Sequence, residues 1–544
     1  MPVIRIQRAE LERMLPEISV EEFAKRIPMI GADFKGMNDE EIHVEFFPNR
    51  PDLFTVEGIV RAAKGFFEIE LGLPNYHADE ADIVLEVDES VLSVRPYIGC
   101  ALVKDVYVDE YAIKSFMEAQ EKLHITYGRK RKKVAIGLHD FSKIKPPFRY
   151  IGADPDKYSF VPLGMDGEMT LRDILRNHPK GREYGWIIEK SDVYPLIVDS
   201  EENVLSMPPI INGTLTEITE ETRDIFIDVT GTDRMAVENI LNILATALAE
   251  RGGKIYSCLV KYPSENRKLP DLNPLSMDVD VNYIRNIIGM DLAEEDIVHS
   301  LMKMRHFAEI SDGSVKVLVG RFRVDIMDKI DIVEEIAIGY GYDRIPEKLP
   351  ERFTVGNLMR ITENSNIIRR LLVGAGYQEI CTLTLTSRRN IEGIFGIKRD
   401  FVEIVNPVSE DLNVVRPKLL PNLLMFLADN THREYPQRVF EIGRVVLKNL
   451  EHTNVAGVTA HTKASFSEVK SVVQKILSLL GIDAVYEDLS EEYYIEGRAA
   501  RIIAEGKVIG EIGEIHPRIL EKLEIYNPVA AFEINIDALR GMIK

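Results

Sequence analysis

Cysteine is scarce in this chain. Only Cys100, Cys258 and Cys381 occur among 544 residues, far apart and with no CxxC pair. That excludes a disulfide framework and a cysteine-based zinc site. The 11 histidines show no HExxH or other paired ligand spacing, so histidine-based zinc chemistry has no candidate either. No run of 18 apolar residues exists, which argues against a transmembrane helix. The opening MPVIRIQRAELERML has no apolar core followed by a small-residue cleavage site. The expectation is a chain without a secretory leader that works in the cytoplasm. Gly252-Gly253-Lys254 lacks the spacing and the trailing Ser or Thr of a phosphate loop. Positive charge is also short: 67 Lys and Arg stand against 88 Asp and Glu, a net charge of −21. Binding nucleic acid by charge alone requires a basic face. Any RNA contact here must therefore be local, or shared with a basic partner.

What is present suffices for several cores. Hydrophobic residues make up 45% of the chain, and its length predicts three or four domains. The pattern reads as an α+β multidomain protein. Residues 1–85 form an α/β unit, with a strand at Ile42 to Phe47 and a helix at Val56 to Phe67 after the turn Pro48-Asn49-Arg50-Pro51-Asp52. Residues 88–265 mix strands (Tyr97 to Val106, Val134 to Leu138, Asp224 to Val229) with helices at Ile113 to His124 and Val237 to Glu250. This unit contains the basic run Arg129 to Lys133, either a solvated loop or a landing strip for an RNA backbone. Residues 270–346 read as helix, hairpin and helix, with the hairpin at Val315 to Val319 and Arg321 to Val324. Residues 352–544 read as strands and helices, including a helix at Leu419 to Asn430 and strand-like segments at Val402 to Val405 and Arg438 to Ile442.

The densest chemistry lies in RVDIMDKIDIVEEIAIGYGY, Arg323 to Tyr342. Asp325, Asp331, Glu334 and Glu335 are hard oxygen ligands of the kind Mg²⁺ prefers. On a helix, Asp328, Asp331, Glu334 and Glu335 fall on one side, with Ile326, Ile330, Val333, Ile336, Ala337 and Tyr340 on the other. Asp325 stands where an N-cap is expected. The same acids also suit a solvated face of an amphipathic helix.

Three sets of motifs carry a family resemblance. Arg-x-Asp-Ile, Asp-Ile-x-Glu-Glu and Gly-Tyr-Asp-x-Ile-Pro at 323–346 resemble the β subunits of phenylalanyl-tRNA synthetases. So do Asn406-Pro-Val-Ser, Val-Val-Arg-Pro-x-Leu-Leu-Pro-Asn-Leu-Leu and Val-Phe-Glu-Ile-Gly-Arg-Val at 439–445. The segments 135–140, 145–148, 206–212 and 228–233 are similar to the family's editing domain. The resemblance implies that Asp325, Asp331, Glu334 and Glu335 hold Mg²⁺ shared with an α subunit. It implies a class II synthetase-like antiparallel core at 352–544 that is catalytically degenerate, because 530–535 has no Gly-rich Arg motif to hold a phosphate. Phenylalanine activation with ATP would then occur in the α subunit. The editing domain would hydrolyse tyrosine misattached to tRNA(Phe), with Asn212, Asp228 and Thr230 as its residues, placed on turns beside strands. The assembly implied is an (αβ)₂ heterotetramer of the shorter archaeal or eukaryotic type, with tRNA(Phe) as partner and no membrane.

Two pairings remain as structural expectations. His139 beside Asp140 suits a capping or packing pair, and Glu441 with Arg444 a structural ion pair. The alternative functions are a metal-dependent hydrolase built on the acidic helix and a noncatalytic RNA-binding scaffold.

Overall fold

The structure is a computed structural model that describes residues 2–349, 354–398 and 401–543. The chain is a mixed α/β protein of two compact units, Met1–Leu349 and Pro350–Lys544.

The first unit begins with a three-stranded antiparallel sheet of β1 (Val3–Gln7), β2 (Ala32–Met37) and β3 (Glu41–Phe46), in the order β1-β3-β2. Ile42, Val44 and Phe46 alternate inward along β3, as a half-buried strand requires. Helix α1 (Val56–Phe66) follows the Asn-Arg-Pro-Asp turn and is capped by the Thr55 hydroxyl, which accepts from Gly58 N.

A ten-stranded sheet follows. It comprises β4 (Ala78–Val87), β5 (Tyr97–Lys104), β6 (Val134–Asp140), β7 (Phe148–Ala153), β8 (Tyr194–Val198), β9 (Val204–Met207), β10 (Ile211–Asn212), β11 (Ile225–Gly231), β12 (Lys254–Lys261) and β13 (Asn266–Leu269). The order is β10-β9-β8-β7-β4-β12-β5-β11-β6, with β13 beside β12. Helices α2 (Glu110–Ile125) and α3 (Arg234–Ala249) start at Asp109 and Asp233, whose carboxylates accept from Ala112 N and Ala236 N. α3 packs on β5 and β11, and α2 on β6. Strands β6 and β11 are therefore buried along their whole length. Asp228 and Thr230 lie inside β11, not on a turn beside it: both edges of Gly231 still pair, with Tyr97 and Val134.

The last part of this unit holds β14 (Leu275–Asp280), α4 (Val281–Ile288), α5 (Glu294–Lys303), β15 (Phe307–Ser311), β16 (Ser314–Val319) and α6 (Lys329–Tyr340). The hairpin is β15 with β16, not 315–319 with 321–324. Asp312-Gly313 turns it, with φ of 54° and 78°, the pair of positive values an Asp-Gly hairpin turn needs. Residues 321–324 form no strand.

In the second unit α7 (Arg360–Gly374), α8 (Leu420–Asp429) and α9 (Phe466–Leu479) accompany a seven-stranded sheet. Its strands are β17 (Gln378–Glu379), β18 (Gln437–Leu447), β19 (Leu450–Ala460), β20 (Ala484–Asp488), β21 (Tyr494–Ala504), β22 (Lys507–Ile515) and β23 (Val529–Asn535), in the order β17-β18-β19-β23-β22-β21-β20. All pairs are antiparallel except β17 with β18. The segment 402–405 makes one isolated bridge, Glu403 to Val414, and no strand. No helix among the described residues is long and apolar enough to cross a membrane.

Candidate active-site cavity

A cavity of about 460 Å³ lies against β6 and β11, with residues 206–218 and α2 completing its walls. Asn212, Asp228 and Thr230 all line it. In the ladder Asp228 stands opposite Gly137 of β6, and Thr230 opposite Ala135. Residues two apart on a strand share a face. Asp228, Thr230 and, from β6, His139 therefore point the same way.

His139 is wholly buried and bonds Asp228, not Asp140: its Nε2 lies 2.6 Å from Asp228 Oδ2 and its Nδ1 2.7 Å from the Thr216 hydroxyl. Adjacent residues on a strand face opposite ways, which separates His139 from its neighbour in sequence. Asp140 instead caps the following turn through Ser142 N at 3.0 Å and accepts from the Thr222 hydroxyl at 2.9 Å. An ionised Asp228 only accepts, so His139 donates from Nε2, and the Thr216 hydroxyl against Nδ1 also lies 3.2 Å from Gly213 O. Gly137 makes the pair possible. A methyl group there would sit 2.6 Å from His139 Nε2 and closer still to Asp228 Oδ2. Among the described residues Asp228 Oδ1 has no protein partner, which leaves an acceptor on the cavity wall. Thr230 Oγ1 accepts from Arg95 Nε at 2.9 Å.

The basic run is not a uniform solvated loop. Arg129, Lys130 and Arg131 all have positive φ, and the Arg131 side chain turns inward. It donates to Ile210 O at 2.8 Å, to Pro209 O at 3.3 Å and to Glu121 on α2. Arg131 thus clamps the loop after β9 across the cavity, while Arg129, Lys130 and Lys132 stay exposed. Burial would raise the Glu121 carboxyl, but His124 and Arg131 pull it down to about 2.

His124 lies behind this clamp, 1% exposed, and its Nε2 accepts from Ile136 N at 2.8 Å. Burial pushes its pKa down from 6.5 to about 4, against the opposing pull of Glu121. Between those values the unfolded chain binds a proton that the folded chain refuses. The stability that this group contributes is complete above pH 6.5 and is lost as pH falls toward 4, by about 3 kcal/mol in all. Urea unfolding across that window is expected to show the loss, and His124→Gln to flatten it.

The acidic segment is arranged differently from its sequence pattern. Residues 323–328 precede α6, and the helix is capped by Asp328, not Asp325, in a capping box with Asp331. Asp331 Oδ2 accepts from Met327 N and Asp328 N, each at 2.8 Å. The inner face of α6 holds Ile332, Val333, Glu335 and Ile336, whereas Ile330 is exposed. Glu335 therefore leaves the acidic face and is buried. Its carboxylate lies 2.6 Å from Arg323 Nη1 and 3.0 Å from His306 Nε2. Arg323 also forks onto Asp325 at 3.0 and 2.7 Å. Burial would raise the Glu335 carboxyl, but Arg323 and His306 hold it well below the usual carboxylate range. Among the described residues Glu334 has no such partner. Burial and the neighbouring Glu335, Asp331 and Asp325 raise its pKa. In this arrangement the four acids do not fit Mg²⁺. Arg323 occupies the place of a cation between two of them, backbone amides hold the third, and no group of three or more potential ligands converges among the described residues.

The comparisons with known proteins address this same layout. Three family descriptions match in order: the B3/4 domain over residues 109–251, the tRNA synthetase B5 domain over 277–342, and the phenylalanyl tRNA synthetase beta chain CLM domain over 345–536. Phenylalanine--tRNA ligase beta subunits from Archaeoglobus fulgidus and Methanosarcina barkeri are each 42% identical to the chain. The first alignment covers 99% of this chain and 98% of the relative, the second 99% and 100%. The chain belongs to the phenylalanine–tRNA ligase β-subunit family. A solved N-terminal fragment of the phenylalanyl-tRNA synthetase beta-subunit from Pyrococcus horikoshii is 41% identical. It covers 62% of this chain and 99% of the fragment, with a TM-score of 0.61.

Within this β-subunit frame, the B3/4 match holds Asn212, Asp228, Thr230, His139 and Arg131, while Arg95 lies before it. The B5 match holds all four acids. In the CLM match Glu441 pairs with Arg416 at 2.7 Å, not with Arg444. Residues three apart on β18 face opposite ways, and Arg444 is an exposed partner of Glu451. Thr216 and Arg95 are not among the sequence candidates, where His139 pairs with Asp140 and Arg131 stands only as part of the basic run. The period-2 spacing of 226, 228 and 230 against 135, 137 and 139 is the signal that turns His139 toward Asp228 rather than Asp140.

Proposed function

We propose that this chain is the β half of a phenylalanine–tRNA ligase and that its cavity hydrolyses tyrosine misattached to tRNA(Phe). The observation that carries the reading is the pairing on β11: a carboxylate oxygen without a partner among the described residues beside a threonine hydroxyl, both on the wall of a cavity of about 460 Å³. A phenol donates one hydrogen bond and accepts another. A site built to satisfy both rejects the ring that lacks the hydroxyl, because its own polar groups would be left unpaired. Asp228 accepts the phenol proton, Thr230 donates to the phenol oxygen, and Asn212 faces the rest of the aminoacyl group. His139 and Thr216 hold Asp228 in place, and Arg131 holds the loop carrying Asn212. The exposed Arg129, Lys130 and Lys132 supply a local basic strip for the RNA backbone of an otherwise acidic chain.

The second unit plays a supporting part in this reading. A class II-like site needs guanidinium groups turned toward phosphate. Arg416 instead is spent inside the chain, on Thr382, Glu441 and the carbonyl of Arg444. Phenylalanine activation with ATP belongs to an α subunit, and the complete enzyme is an (αβ)₂ heterotetramer in the cytoplasm. A Mg²⁺ at the acidic helix would require ligands from that partner.

The purified chain alone is expected to charge no tRNA(Phe) with phenylalanine, and the chain mixed with its α partner to charge it at rates of order 1 s⁻¹ or more. Charging by the solitary chain would overturn the division of labour. The same preparation is expected to hydrolyse Tyr-tRNA(Phe) well ahead of Phe-tRNA(Phe), and equal rates would remove the cavity's assigned role.

A further inference from the structure

Seven arginines of the described chain are buried to 6% exposure or less: Arg61, Arg95, Arg131, Arg251, Arg305, Arg323 and Arg416. Six of them have a carboxylate within ion-pair distance. Among the described residues Arg95, 1% exposed, has none. All its hydrogen bonds go to neutral oxygens: Thr230 Oγ1 at 2.9 Å, Thr230 O at 2.7 Å and Lys132 O at 3.2 Å. Burial pushes its pKa down to about 10, with Tyr150 and Asp228 pulling the other way. Burying a charge without a counter-charge is costly, and such groups concentrate at functional sites.

The geometry also fixes a direction. A threonine hydroxyl has one proton and two lone pairs. A guanidinium only donates, so the Arg95 contact takes a lone pair of Thr230 Oγ1 and leaves its proton unspent. Thr230 lines the cavity, and no other hydrogen bond to its hydroxyl occurs among the described residues. We propose that Arg95 is a specificity-determining positioning residue that makes Thr230 a donor into the cavity, so that the cavity reads the oxygen of a para substituent. This rests on the hydrolytic reading above. Asp228 would take the phenol proton and Thr230 the phenol oxygen, and without Arg95 the Thr230 hydroxyl is no longer committed to donating.

The test uses the full chain with its α partner and tRNA(Phe) charged in advance with a chosen amino acid. The first arm needs no variant. 4-Methoxyphenylalanine and 4-ethylphenylalanine have nearly the same shape, but only the first offers an acceptor oxygen. The wild-type complex is expected to hydrolyse the methoxy ester several-fold faster, and equal rates would overturn the proposal. The second arm is a double-mutant cycle on the Tyr-to-Phe ratio of kcat/KM. Thr230→Val and Arg95→Met are each expected to reduce that ratio about tenfold, and the double variant to reduce it no further. A merely structural Arg95 would give multiplying effects or leave the ratio unchanged, and either result would also overturn the proposal. If Arg95→Met does not fold, the isostere pair decides alone. Absence of any Tyr-tRNA(Phe) hydrolysis by the wild-type complex would instead sink the underlying functional reading.

Discussion

Gly137→Ala is expected to reduce Tyr-tRNA(Phe) hydrolysis on the order of 10²-fold while leaving phenylalanine charging by the assembled enzyme intact. The argument is steric. Gly137 faces Asp228 across the β6–β11 ladder, and an added methyl would lie 2.6 Å from His139 Nε2 and inside the contact radius of Asp228 Oδ2. Strand β11 is paired over seven residues on each edge, and β6 at the end of the sheet is buried and held to β11 over the same seven residues. The His139–Asp228 bond must open, and displacing a reading group by about 1 Å costs roughly that factor. The overpacking itself costs about 1–3 kcal/mol of stability, so a thermal melt belongs beside the rate. Hydrolysis within threefold of wild type in a folded variant would show that the pair does not position Asp228.

Arg323→Met is expected to destabilise the first unit by about 3–5 kcal/mol, the cost of stranding a buried charge. Arg323 is 2% exposed and neutralises two carboxylates, Asp325 and Glu335, the second 3% exposed. His306 alone would remain against Glu335, at 3.0 Å. Arg50 stands 4.0 Å from Asp325 but already forks onto Asp52. Glu334→Gln on the neighbouring position should change stability by less than about 0.5 kcal/mol, because it breaks no pair. Urea unfolding of the two variants separates a buried ion cluster from a solvated acidic face. Similar small losses in both would contradict the arrangement described.

Much of the fold was legible because its signals are local. The period-2 alternation along β3 and the apolar face of α1 each mark an element from within a few residues, whereas α2 and α3 begin just after the Asp109 and Asp233 caps, three residues before the starts expected at Ile113 and Val237. Longer-range features were harder to read. The four acids of 325–335 look equivalent in sequence, and only the packing of α6 turns Glu335 inward toward Arg323 and His306. Asp312-Gly313 is a turn signal in the sequence, and it joins β15 to β16 rather than 315–319 to 321–324. At the cavity, Asp228 and Thr230 were found through motif resemblance. The partners that give them their roles come from sequence positions 89 and 135 residues away, a separation that no local pattern encodes.

Single-turnover hydrolysis of Tyr-tRNA(Phe) by the chain bound to its α partner, wild type against Asp228→Ala, tests the central claim most directly. Asp228 is the one carboxylate that both lines the cavity and is held by His139. The account predicts a fall on the order of 10²-fold and loss of the preference for tyrosine over phenylalanine. An unchanged rate and preference in the folded variant would contradict it.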